Sequence, residues 1–146
     1  HDWLRPAAPA DLAAGTADRL ACFPLVPFSN RIRDGRFAFG GHAVALPLNQ
    51  RAQPHALHGD GWRAAWSVVE REEDRITLEY DHRAGAWPFP YRARQEFLLT
   101  GDALRLSLSL ENRGRATATA SCTAAVSTER TNSPTRDRRL AGSARR

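Results

Sequence analysis

The stretch "PHALHGDGW", positions 54–62, sets His55 and His58 three apart among glycines and closes on Trp62. Neutral imidazoles ligate zinc or iron, and an imidazole that titrates near neutrality moves protons in either direction. The same loop could hold a hydroxyl-rich ligand, or be no more than a turn. A metal would need a third ligand. Asp60 and His42 are available, but nothing in the spacing fixes their geometry. An i, i+3 pair lines up on a helix, and Pro54, Gly59 and Gly61 oppose a helix here. No Cys-x-x-Cys or Cys/His zinc pattern occurs. The expectation is therefore no metal.

Two further stretches carry candidate chemistry. "PLVPFSNRIRDGRFAFGG" (24–41) places Asn30 beside Arg31. An amide next to a guanidinium offers a rigid fork of donors and one acceptor, which suits a polyhydroxyl ligand. The plainer alternative is a polar turn with a surface arginine. "AGAWPFPYRARQEF" (84–97) spaces Trp87, Phe89 and Tyr91 with prolines. These rings could stack on the C–H faces of a sugar or plug one end of a β-sandwich. The sequence has no Gly-rich phosphate loop, nucleophile elbow or His-Glu-x-x-His motif. Its one dense group of carboxylates, "EREED" (70–74), reads as a solvated turn.

The elements that must position these residues are strands. Around Gly40-Gly41, Phe37 and Phe39 alternate on one side and Val44, Leu46 and Leu48 on the other, which spells a hairpin. "AAWSVVE" and "RITLEYD" follow as short strands. "ARQEFLLT", "GDA" and "LRLSLSLEN" then read as strand, turn and strand. Leu104, Leu106, Leu108 and Leu110 alternate with Arg105, Ser107 and Ser109, so one face should be buried and the other wet. Many short strands without strand–helix alternation indicate an all-β, antiparallel β-sandwich or barrel. Residues 1–20, rich in Pro, Ala and Asp, read as an entry loop with one or two helical turns. Residues 21–112 form the β domain.

Residues 113–146 break the pattern. They hold almost no large apolar side chain and cannot offset their ordering entropy by burial, so they read as disordered or foreign to the fold. The net charge of +5 resides there. Residues 1–113 hold 14 Arg against 14 Asp and Glu, whereas 114–146 hold seven Arg against Glu129 and Asp137. All 21 basic residues are arginine. A groove-binding domain carries its basic residues on a folded face, so no specific nucleic-acid partner is expected. No apolar run approaches the roughly 20 residues that span a bilayer. Cys22 and Cys122 read as reduced thiols of a cytoplasmic protein. The absence of methionine points to a fragment or a processed chain.

In order, "PFSNRIRDGRFAFGG", "LPLN", "PHALHGDGWRAAW" and "GAWPFPYRARQEF" with the leucine-alternating strand resemble the aldose 1-epimerases, or galactose mutarotases, over about residues 20–112. The resemblance implies a β-sandwich of the galactose mutarotase type, incomplete in this chain. It implies a free aldohexose as partner, whose α and β anomers interconvert without a cofactor. It implies Asn30, Arg31 and His58 as sugar-binding residues, with His55 structural. The family's acid histidine, in a His-Pro-aromatic-Phe motif, and its later aspartate and glutamate base have no counterpart in 113–146. No catalytic residue is therefore assigned, and the expected chain is an inactive internal piece with a tail read in a shifted frame. The alternative is a non-catalytic carbohydrate-binding module on the same fold. Preferred sugar and oligomeric state stay open.

Overall fold

In a computed structural model, the structure describes residues 4–15, 17–114 and 123–126. The chain enters through a short helix, α1 (Pro9–Ala14), with proline in its first turn. Gly15 ends it in the left-handed conformation, φ 60°, returning its N–H to the carbonyls of Asp11 and Leu12.

Apart from single 3-10 turns at Ala17–Arg19 and Gly61–Arg63, the rest of the described chain is strand and loop. The strands are β1 (Cys22–Leu25), β2 (Arg31–Arg33), β3 (Arg36–Phe39), β4 (His42–Ala45), β5 (His55–Leu57), β6 (Ser67–Arg71), β7 (Arg75–His82), β8 (Tyr91–Thr100), β9 (Ala103–Asn112) and β10 (Thr123–Val126). β6, β7, β8 and β9 form one antiparallel sheet in that order. β2 pairs with β5, β3 with β4, and β1 with β10, all antiparallel. The chain is thus all-β, and the expected hairpins fall where period-two alternation placed them. Among the described residues no helix is long and apolar enough to cross a membrane.

Register decides which side chains meet. His82 lies opposite Tyr91, Tyr80 opposite Ala93 and Leu78 opposite Gln95, while Ala93 lies opposite Leu110 and Gln95 opposite Leu108. Directly opposed residues share a face. On that face Tyr91, Ala93 and Gln95 are buried. Trp87 packs over it, its ring centroid 5.5–5.7 Å from those of Phe28, Phe37 and Phe89. Trp87, Phe89 and Tyr91 therefore serve the core, as the plugging alternative required.

One expectation needs correction. The leucine face of β9 alternates as expected, but its leucines are only half-buried. The apolar cluster around Val26, Trp87, Tyr91 and Ala93 takes in Leu108 and Leu110 and stops short of Leu104 and Leu106. Leu99 and Val68, farther along the sheet, are 54% and 56% exposed. Period two reports which way a side chain points; whether a second layer lies above it depends on distant residues.

The opposite face is charged. Arg92 grips Asp81 through two hydrogen bonds of 2.8 and 2.9 Å, and Arg94 reaches Glu70 at 3.5 Å. Such surface pairs add little stability. Beneath them Thr77 is fully buried, its hydroxyl donating to Glu70.

Within the segment that lacks an apolar pattern, Thr123–Val126 lies along β1, with Cys22 opposite Val126. Backbone N–H and C=O groups make that ladder, so small side chains do not prevent it. The other residues of 115–146, Cys122 included, lie outside the described residues, and so does the expectation of disorder or a shifted frame.

Trp87→Ala should lower stability by about 3–5 kcal/mol, the usual loss for a buried aromatic. Arg105→Ser, on the wet face, should change it by less than about 0.5 kcal/mol. Urea unfolding followed by circular dichroism checks both; equal losses would contradict this placement of the core.

Candidate functional site

Asn30, Arg31 and His58 meet because β2 and β5 pair, with Arg31 opposite Leu57. Asn30 and His58 flank that ladder, and both have positive φ, 62° and 59°. Asn30 tolerates this conformation better than most residues. The two close on each other twice. The His58 N–H donates to the Asn30 carbonyl at 2.9 Å, and the Asn30 N–H donates to His58 Nδ1 at 3.0 Å.

That second bond fixes the tautomer. Nδ1 accepts, so the neutral ring carries its hydrogen on Nε2, which is left as a donor. The Trp62 ring stands edge-on to the imidazole, centroids 5.9 Å apart and planes at 87°. Arg31 is exposed, with Nη1 donating to Asn30 Oδ1 at 3.0 Å and Nε donating to Gln53 Oε1. Its Nη2 has no hydrogen-bond partner among the described residues. A guanidinium edge and an imidazole N–H, held by one asparagine, form a donor pair suited to oxygen-rich ligands.

His55 takes a different part. Its Nδ1 accepts the Asp34 N–H at 3.2 Å at the start of the turn between β2 and β3. The metal alternative would need His55, His58, Asp60 or His42 to converge. Among the described residues, no three His, Cys, Asp or Glu side chains are grouped to hold a metal ion.

The loop that presents His58 is tied down on several sides. Asn49 donates to the carbonyls of Leu57 and Gly59 and accepts the Leu57 N–H. The indoles of Trp62 and Trp66 donate to the carbonyls of Gly59 and Gly61. Gly59 sits at φ 72° where an added Cβ would lie 2.2 Å from the Val26 carbonyl oxygen, so no other residue fits.

Sequence reading misses the cluster on the far side of this loop. The Asp60 carboxylate accepts the hydroxyls of Tyr91 (2.6 Å) and Tyr80 (2.8 Å) and lies 2.6 Å from His82 Nδ1. From sequence, Asp60 is a candidate only for the metal alternative. A signal for the cluster exists: the alternation Ile76, Leu78, Tyr80, carried one step further, reaches His82. Burial first, then the Asp60 bond, pushes both tyrosine hydroxyls well above their usual range and keeps them as neutral donors.

Beside this cluster lies a cavity of about 470 Å3 walled by Phe28, Leu46, Pro47 and Trp87. The polar groups that reach it, Asn49, Asp60, Arg63, Tyr80 and His82, all hold partners within the protein. It offers ring and aliphatic surface rather than directed hydrogen bonds.

Burial, then the Arg31 charge, holds the His58 pKa below the ordinary 6.5. As pH falls, the unfolded chain takes up this proton first. The contribution of His58 to stability is thus present above about pH 6.5 and is lost as pH drops through the folded pKa. An NMR titration should place the His58 midpoint below 6.5, and Arg31→Ala should raise it. A midpoint at or above 6.5 would contradict this balance of burial and charge.

Residues 1–125 match the family model described as aldose 1-epimerase. The uncharacterized protein YphB of Escherichia coli K12 is 42% identical over 100 residues, covering 68% of this chain but only 34% of that protein. A crystal structure of an E. coli K12 protein, provisionally assigned as an aldose 1-epimerase, superposes with a TM-score of 0.73 at 38% identity. That match covers 84% of this chain and 40% of the other. A galactose mutarotase-like protein from Clostridium acetobutylicum, 19% identical, shares the fold with a TM-score of 0.58, over 75% of this chain and 36% of its own. The chain spans about a third of the length of the curated relative it matches. With the family model matched over most of its length, this chain belongs to the aldose 1-epimerase family.

Proposed function

We propose that this chain holds a free aldohexose at Asn30, Arg31 and His58, as the sugar-binding part of an aldose 1-epimerase site. The observation that carries this reading is the His58 imidazole, fixed by the Asn30 N–H and with no partner for its Nε2 among the described residues, beside the Arg31 guanidinium. Two rigid donors suit sugar hydroxyl oxygens, and neither needs reordering when the ligand arrives.

Anomer exchange requires a base to take the proton of the anomeric hydroxyl and an acid to protonate the ring oxygen. The ring then opens, the C1–C2 bond rotates and the ring closes on the other face, with no net redox change and no cofactor. Nothing in the Asn30–Arg31–His58 group supplies both roles. Arg31 cannot give up its proton near neutrality, and His58 is held as a donor. The sequence contains no His-Pro motif of the kind that carries the family's acid. An acid and base that act as a unit leave little catalysis when both are missing. We therefore assign this chain sugar binding without appreciable mutarotation.

Calorimetric titration with galactose and with glucose tests the binding. Wild type should saturate, and Arg31→Ala and His58→Ala should each weaken binding roughly 10- to 100-fold, in line with lost hydrogen bonds from a charged or fixed donor. Polarimetry on fresh α-galactose should show the rate of buffer alone. Absence of saturable binding would sink the sugar assignment; a rate clearly above buffer would sink the claim that the proton-transfer pair is lacking.

A further inference from the structure

We infer that Asp60 is a positioning residue for His58, its carboxylate setting the orientation of the loop that presents the imidazole. This rests on the sugar-binding proposal and adds the device that holds its histidine in place.

His58 at φ 59° and Gly59 at φ 72° are consecutive left-handed residues. A side-chain-bearing residue is disfavoured in that conformation, so it persists only where both of its ends are held. Asn30 holds one end. The other end is Gly59, which has no side chain, followed at once by Asp60. Asp60 is therefore the first residue after His58 whose side chain can fix the direction of the chain.

It does so from the large sheet. Tyr80 and His82 project from β7 and Tyr91 from β8, and the His82 and Tyr91 rings stack at 4.8 Å with planes 13° apart. Tyr91 donates to Asp60 Oδ1; Tyr80 donates to Oδ2, and His82 Nδ1 meets the same oxygen. His82 Nε2 in turn lies 2.9 Å from the Trp87 carbonyl. Both ring nitrogens thus face acceptors; a neutral ring carries one N–H, which donates to Asp60 when it is on Nδ1. The backbone of the loop is pinned as well, since Asp60 and Gly61 both donate to the Val26 carbonyl. At Gly61 an added Cβ would lie 2.2 Å from a Val26 methyl, so the loop packs on Val26 with no room for a side chain there.

Charge matters at this position, not only shape. A carboxylate has acceptor capacity on both oxygens for all three groups. An asparagine would turn an NH2 toward at least one of the three; a tyrosine hydroxyl there would have to accept instead of donate, and the charge that strengthens every bond is lost. Asp60→Asn thus weakens the clasp while keeping the volume.

The test is carried out on the whole 15N-labelled chain, reading the His58 ring nitrogens and galactose binding together. Wild type should show the Nε2–H tautomer. In Asp60→Asn the His58 nitrogens should move toward tautomer-averaged values and galactose binding should weaken at least threefold, with the amide signals of β8 and β9 in place to show that the sheet is intact. Tyr80→Phe, which deletes one of the two bonds at Oδ2, should give a smaller shift in the same direction, and it serves as the deciding variant if Asp60→Asn does not fold. His58 ring signals unchanged in the folded variant would overturn the inference. If those signals shift but wild type binds no galactose, the positioning role stands and the sugar reading falls. If galactose binds equally well to both, with ring signals unmoved, the positioning role alone falls.

Discussion

Three donors converge on one carboxylate. Asp60, carried on the loop between β5 and β6, takes hydrogen bonds from Tyr80, Tyr91 and His82 on the four-stranded sheet. Bonds to charged acceptors contribute about 1.5–3 kcal/mol each, and a half-buried carboxylate without them would bear an uncompensated desolvation cost. The contact ties together two pieces that share no ladder, the short β2–β5 pair on one side and the β6–β9 sheet on the other, alongside the packing of Ile32 against the cluster of Tyr91 and Ala93. His58 and Arg31 keep their places relative to the sheet through it and through the Val26 carbonyl.

The packing follows the same geography. The aromatic cluster of Phe28, Phe37, Trp87 and Phe89 lies over the end of the sheet that carries Tyr91 and Ala93, close to the tyrosines that reach Asp60. Burial is deepest where the loop is anchored and fades along β8 toward Leu99. A rigid end and a less covered end share one sheet. The candidate site sits against the rigid one, as a preorganised donor pair requires.

Strand positions are legible in the sequence because alternation at period two is a local signal. Ile76, Leu78 and Tyr80, or Leu104 through Leu110, need no distant partner to reveal their face. The pairing of β2 with β5 is not legible from periodicity, since three-residue strands separated by a hairpin carry no pattern of their own. Resemblance singles out Asn30, Arg31 and His58, and only the ladder shows why an asparagine precedes the arginine: its backbone N–H fixes the histidine tautomer while its side chain steadies the guanidinium. In the sequence Asp60, Tyr80, His82 and Tyr91 stand as separate residues, because their convergence depends on the register of β7 with β8 and on a loop from elsewhere in the chain. β10 escapes notice for a related reason. A segment built of Thr and Ala leaves no apolar alternation to read.

A crystal structure of this chain soaked in galactose would test the site most directly. A hexose seated between β2 and β5, with hydroxyl oxygens about 2.7–3.1 Å from His58 Nε2 and from the Arg31 guanidinium, is the predicted result. A sugar found instead in the apolar cavity beside Trp87, with His58 and Arg31 untouched, would contradict it.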